Sequence, residues 1–412
     1  MLNEKKKVKF FDLIVDLIFI AFFTAHFLLP SFDLNFIIPL ALALAYCVYF
    51  GIKDTKLGAN LILVISACAF LALVYAVLTE TKTISSDVDN AGLKQYVSKF
   101  NQYFMMFFPL LLSFRIIKTY PRKVRFRILI FIAAVFGYVF VNTFILLLTD
   151  PGAVRHWDEF SSLAGQDIGS YDFVYAVPII ICTLAACNKK FNLVGKIINV
   201  IVIVCAFVFL VNADYTLALL IAMIGLVLVG YLRCQRTLSK FTYILLCIIG
   251  AFFIPSILKL FYTYFPDGDI SLRIREIYDF LVSGDSSGYN LNGRLTLYGE
   301  SLLAFFRSPL VGNESLDFDG HGTFLTVLSD TGIIGAVFMY GIVFAARKYV
   351  KHILGAYDRS FMPVFIAFIL MGIVNPIHAT DALSFTMWCV APLVLDYFFN
   401  LEESINETTV EN

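Results

Sequence analysis

Apolar runs of membrane-spanning length recur from one end of the chain to the other, each bounded by a polar segment. Twelve are predicted, near residues 11–29, 34–51, 59–78, 102–118, 128–148, 172–187, 197–212, 215–232, 241–261, 323–346, 360–377 and 380–399. Several are short enough to need tilt or shielding by neighbours. The predicted fold class is an all-α integral membrane protein of about twelve transmembrane helices, with a large helical outer loop between spans 9 and 10.

Charge placement orients these spans. With Asn3-Glu4-Lys5-Lys6-Lys7 in the cytoplasm, the inner segments also hold Lys9, Lys53, Lys56, Arg115, Lys118, Arg122, Lys123, Arg125, Arg127, Lys189, Lys190 and Lys196. They continue with Arg233, Arg236, Lys240, Arg347, Lys348, Lys351 and Arg359, so most of the 31 Lys and Arg lie inside. Every internal inner loop is then short and basic, as the positive-inside bias requires. The N-terminus runs into apolar sequence without a small-residue cleavage site, which reads as a retained first span rather than a signal peptide. The chain divides into nine spans (1–261), an extracytoplasmic loop (262–322), three spans (323–399) and an acidic cytoplasmic tail (400–412).

Three outer segments are long: 79–101, 149–171 and 262–322. In the third, residues 271–282 place Ile274, Ile277, Tyr278 and Leu281 on one helical face. Residues 294–307 do the same for Leu295, Tyr298, Leu302 and Phe305, and Pro309 and Gly312 end that helix. The expectation is two short amphipathic helices lying on the outer membrane surface.

Composition narrows the function classes. The chain of 412 residues is 59% hydrophobic and 15% charged, with mean hydropathy +0.82. A soluble domain carries about 25% charged residues, so a water-soluble enzyme is excluded, as is a disordered chain. Formal net charge is zero, which gives no reason to expect a nucleic-acid partner. All eight Cys fall in or beside apolar runs, without a CxxC pair, so neither a disulfide framework nor a zinc site is expected.

The chemistry concentrates between 292 and 335. Arg294 and Tyr298 are four apart and share a helical face, and His321 opens span 10 at its outer end. A guanidinium grips phosphate oxygens through paired hydrogen bonds and can neutralise a leaving diphosphate. An imidazole can take a proton from a sugar hydroxyl. The same residues would also serve as a headgroup anchor and a helix cap. Asp317-Phe-Asp319 and Asp267-Gly-Asp269 fit Asp-x-Asp, but one such pair offers too few oxygens for a hard cation and reads as a solvated turn. Asp319 would then orient His321. His26, His156, His321 and His378 are too widely separated for a zinc cluster. Asp12, Asp16 and Asp381, near span ends, read as reaching headgroup water or capping helices, and Asp214 sits at an outer turn.

The region resembles the O-antigen ligase and O-antigen/capsule polysaccharide polymerase superfamily of bacterial membranes. The family's outer-loop motif corresponds here to Arg294, Tyr298, Pro309, Gly312, His321, Asp330, Gly332 and Gly335, in the same order over roughly 45 residues. Three features depart from it. The aromatic is Tyr298 rather than Trp, His321 is followed by Gly322 rather than Asn, and the turn 212–216 lacks an Arg that Arg273, Arg275 or Lys259 would have to replace.

The resemblance implies a metal-independent glycosyltransferase without a cofactor, in the bacterial cytoplasmic membrane, with its active site on the extracytoplasmic side. The donor would be an undecaprenyl-diphosphate-linked glycan. The acceptor would be a second lipid-linked unit in a polymerase, or a terminal acceptor in a ligase. His321 and Arg294 would be catalytic, and Arg273, Arg275, Tyr298, Arg307 and Asp319 would bind substrate. Membrane lipid, a flippase and a chain-length regulator are the implied partners. A different class, a glycolipid flippase or exporter, also fits twelve spans. Gly51-Ile-Lys-Asp54-Thr-Lys-Leu-Gly58 loosely resembles a major-facilitator loop, although no six-plus-six repeat is visible.

Overall fold

The computed structural model describes residues 10–32, 34–53, 55–80, 91–154, 167–264, 269–283, 289–312, 322–375, 377 and 381–399. Among them there is no strand. The helices are α1 (Phe10–Leu28), α2 (Ile37–Lys53), α3 (Thr55–Glu80), α4 (Ala91–Thr119), α5 (Arg122–Thr149), α6 (Tyr171–Cys187), α7 (Leu193–Asn212) and α8 (Thr216–Arg233). They continue with α9 (Thr237–Tyr264), α10 (Asp269–Ser283), α11 (Tyr289–Arg307), α12 (Thr323–Leu354), α13 (Met362–Val374), α14 (Asp381–Phe385) and α15 (Ala391–Phe399).

Among the described residues nine helical stretches are long and apolar enough to cross a membrane. They are α1, 96–119 within α4, α5, α6 extended to Lys190, α7, α8, α9, α12 extended to Ser360, and the rod from Asp381 to Phe399. Three shorter apolar helices accompany them, Ile37–Gly51, Leu61–Val77 and Met362–Val374. The architecture is that of a multi-pass helical membrane protein.

Burial sorts the helices into a centre and a rim. α6 and the Asp381–Phe399 rod are buried along most of their length, with Phe173, Phe209, Phe368 and Trp388 in the core. α5 and α7 turn Ile130, Ile145, Ile197 and Val204 outward, as lipid-facing helices do. α9 has no buried residue and leans on α8 through the Tyr243 phenol, which donates to the Val227 carbonyl at 3.0 Å. α10 rests against α9, with Tyr262 and Tyr278 edge to face at 5.5 Å.

One end of the bundle gathers the basic turns and is closed by charge pairs. Asp16 is fully buried and accepts from Tyr46 at 2.9 Å, from Arg115 at 3.2 Å and from the Tyr120 phenol. One turn earlier Asp12 accepts from Tyr49 at 2.8 Å. Asp16 therefore does not reach headgroup water, as its place near a span end suggests. It joins α1 to α2, to the last turns of α4 and to Tyr120 in the turn that follows. Burial, together with the bond to Asp16, raises the Tyr120 phenol above its ordinary range. Arg125 pairs with Asp396, joining α5 to α15, and Arg347 pairs bidentately with Asp358.

The span expected over 323–346 is not one straight rod. α12 breaks at Gly332, which has φ +64°. The chain then folds back on itself, because the Tyr340 phenol donates to the Phe324 carbonyl at 3.0 Å and the two rings meet at 5.3 Å. In a straight helix sixteen residues would separate them by about 24 Å. The short arm is Thr323–Thr331. The long arm, Ile333–Leu354, is about 33 Å long and matches a hydrocarbon core of about 30 Å.

In the last rod, Thr386–Val390 forms a π-helical turn between α14 and α15. Ser113 of α4 donates to the Trp388 carbonyl within that turn at 2.8 Å.

Asp16→Ala would leave two phenols and a guanidinium without their shared acceptor. The expected cost is about 3 kcal/mol, against less than about 1 kcal/mol for Asp12→Ala at its more exposed site. Thermal unfolding of the detergent-solubilised variants checks the order, and equal losses would refute the central role given to Asp16.

Candidate functional site

The site is built on the C-terminal end of α13. This helix has 13 residues and is about 20 Å long, so it stops well short of the fold-back tip at Gly332. Three elements meet its last residues. From α11, the Tyr298 phenol donates to the Val374 carbonyl at 3.2 Å. From the start of α12, Thr323 donates to the Asn375 carbonyl through its backbone N–H at 3.0 Å and its hydroxyl at 3.3 Å. From α6, the Tyr171 phenol donates to the Asn375 Oδ1 at 3.1 Å.

Gly322 lies so close to the Ile373 carbonyl that a Cβ would collide with it. That contact gives a physical reason for glycine, rather than asparagine, after His321. Asn375 itself is buried, at 3% exposure, and its amide nitrogen has no hydrogen-bond partner among the described residues. A buried donor in that state can hydrogen-bond an oxygen acceptor.

The wall behind Asn375 is aromatic and acidic. Tyr171, Tyr175 and Tyr215 form a mutual cluster with ring separations of 4.8–5.6 Å. Tyr215 belongs to the turn that lacks the expected Arg, so this turn contributes a phenol where the resemblance implies a guanidinium. Asp214 beside it holds φ +59°. Asp172, next to Tyr171, lies against Asp381 and accepts from its backbone N–H. Two neighbouring carboxylates at the edge of a polar cluster are chemically able to accept a proton from a hydroxyl.

The other end of α11 is locked to the fold-back. The turn after α11 delivers the carbonyls of Pro309 and Leu310 to the backbone N–H groups of Ile333 and Ile334, at 2.8 and 3.3 Å. Those N–H groups begin the long arm and have no intrahelical acceptor. Gly312, at φ +76°, presses on the Asp330 backbone. Pro309, Gly312, Asp330 and Gly332, read as parts of one motif, are thus the pieces of one joint.

α11 runs alongside α12, from Tyr298 at the α13 end to Pro309 at the tip, and does not lie flat across the bundle. Its buried face is Ser301 and Ala304, whereas Leu302 is exposed. Small residues on this face allow close approach to α12, so the buried face differs from the Leu295–Tyr298–Leu302–Phe305 face that the apolar periodicity predicts.

His321 and Asp319 lie outside the described residues. Arg294 is in α11 one turn before Tyr298, and Arg273 is in α10; the side chains of both lie outside the described part. Arg275 is exposed and paired with Asp279 on its own helix at 3.8 Å, and Lys259 is exposed on α9. Arg307 is exposed at the end of α11, about 13 Å along the helix from Tyr298. The structure therefore brings Tyr298 and the residue following His321 onto the same three-residue segment, 373–375, and does not bring Arg275, Lys259 or Arg307 there.

Sequence reasoning missed Tyr171, Asp172, Asn375 and Tyr215. The polar residues clustered at the predicted outer ends of spans 6, 8 and 11 were the available signal.

Gly332→Ala places a Cβ at positive φ against the Leu310 backbone. The strain alone costs about 1–2 kcal/mol, and the joint must open further to admit the methyl group. We expect a lower unfolding midpoint and faster proteolysis within 308–332, checked by limited digestion with mass spectrometry. Unchanged cleavage would argue against the joint.

Comparison with known protein families and with curated proteins finds no match to this chain.

Proposed function

We propose that this protein is a polysaccharide polymerase of the bacterial cytoplasmic membrane. It transfers glycan from an undecaprenyl-diphosphate-linked donor to a lipid-linked acceptor on the extracytoplasmic side. The observation that carries the reading is the convergence of α11, the start of α12 and the end of α13 around buried Asn375, whose amide nitrogen has no partner among the described residues. Arg294 and His321, assigned from the sequence motif, flank the two segments that converge there.

In this reading Arg294 binds the donor diphosphate and His321 activates the acceptor hydroxyl, with Asp319 orienting it. Asn375 donates to a substrate oxygen, and Arg273, Arg275 and Arg307 steer the anionic donor from further away. The bond between the anomeric carbon and the diphosphate breaks, and the lipid diphosphate leaves. The bond from that carbon to the acceptor oxygen forms, with the hydroxyl proton passing to the base. In this reading the nine long apolar stretches and three shorter helices found among the described residues serve as twelve passes, with the basic end inside. A ligase using a terminal acceptor would employ the same residues.

The fold-back in α12 favours a second reading, a glycolipid carrier, because interrupted membrane helices commonly build transport sites.

Purified protein given radiolabelled lipid-linked repeat units should yield longer chains and free lipid diphosphate. His321→Ala and Arg294→Ala should each lower the rate by at least about 100-fold while the protein remains folded. Full activity in both variants rejects the site, and translocation without bond formation selects the carrier. Reporter fusions after residues 120, 190, 235 and 350 should all report cytoplasm, and one reversed signal breaks the twelve-pass topology.

A further inference from the structure

The basic end of the bundle contains a small cavity that the proposed transfer reaction does not use. It lies where the last turns of α6 and α8 meet the 3-10 turn Gly355–Ser360 and the start of α13. Its volume is about 80 Å³, room for a small polyatomic ion or several water molecules. Arg233, Arg359 and Ser360 supply its polar wall, and Val229, Leu232 and Pro363 its apolar wall. We propose that this cavity binds the phosphate group of an anionic ligand at the membrane surface.

The charge is uncompensated by the nearest acid. Asp358 adjoins Arg359 in sequence, yet both of its oxygens are held by Arg347. Arg233 donates to the Ala185 carbonyl at the end of α6, which fixes the guanidinium beside the cavity. A guanidinium has five N–H donors, so that bond leaves it able to bind an anion. Arg359 is exposed and has its own fork. Two guanidiniums and a hydroxyl around a space of this size suit a tetrahedral oxyanion. The N-terminus of α13, with Pro363 in its first turn, adds a positive helix end on the same side.

The apolar wall identifies where such a phosphate comes from. Val229 and Leu232 are on α8, a helix long and apolar enough to cross a membrane. A phospholipid headgroup seated between the arginines would lay its acyl chains along that helix. Basic pockets between helix ends are suited to anionic headgroups in this way. A free phosphate would use the arginines alike but gain nothing from the apolar wall.

The test uses the full-length protein in detergent, titrated separately with phosphatidylglycerol, phosphatidylcholine and inorganic phosphate, with the thermal midpoint as the readout. Phosphatidylglycerol should raise the midpoint saturably, and phosphatidylcholine should not. Arg359→Gln should shift half-saturation to roughly tenfold higher concentration, and Arg359→Lys should recover part of the loss. Arg236→Gln, a nearby exposed cation outside the cavity, should change nothing. Protection by inorganic phosphate with the same Arg359 dependence would keep the phosphate site and assign it to a soluble ligand. Absence of saturable protection by either probe, or an equal shift in Arg236→Gln, overturns the proposal. None of these readouts depends on glycan transfer, so the result stands apart from the activity assay.

Discussion

Backbone polarity in apolar surroundings is the constraint on which the rest of this structure depends. A helix crossing hydrocarbon satisfies its own N–H and C=O groups, and any interruption must find partners elsewhere. At Gly332 the interruption is repaired by the Pro309 and Leu310 carbonyls, contributed by the turn that follows α11. That exchange ties a segment rich in candidate chemistry to a membrane helix. It also lets the chain fold back, so that Thr323 reaches the end of α13 well below the tip.

The two ends of the bundle solve different problems. At the basic end, Asp16, Asp396 and Asp358 are matched by Arg115, Arg125 and Arg347, and aromatic rings take some of the other cations, as Arg122 does over Tyr397 at 4.5 Å. At the other end the polar groups are aromatic, amide and acidic, and the Asn375 amide donor has no partner among the described residues. Charge pairs close one end, and a buried amide donor sits among phenols and acids at the other, the kind of group a polar ligand can engage.

The long apolar helices were legible in the sequence because run length alone distinguishes them. The fourth span, predicted over 102–118, sits in a longer helix, since α4 begins at Ala91 and carries Lys94 and Lys99 ahead of the apolar run. A polar helical turn beyond the apolar run has no hydropathy signal, although the Lys99 ammonium over Tyr75 shows how it is held. The fold-back was hidden because Gly332 sits inside an apolar run, and its hydrogen-bond acceptors lie more than twenty residues earlier. The motif from Pro309 to Gly335 was visible as a pattern, but its order alone could not distinguish a joint from a catalytic set. The Asp16 cluster was within reach: Asp12 and Asp16 share a face of α1, as Tyr46 and Tyr49 do on α2, and matching the two faces would have predicted the bonds.

The wide turn at Thr386–Val390 has a consequence for the helix phase beyond it. An extra residue in a turn rotates everything downstream by about 100° relative to an uninterrupted α-helix. Asp396 lies downstream, facing Arg125, while Trp388 within the turn lends its carbonyl to Ser113. The angular setting of the terminal rod against α5 is therefore recorded in one surplus residue. A homologous chain one residue shorter there would have to place its acid elsewhere to keep the same clasp.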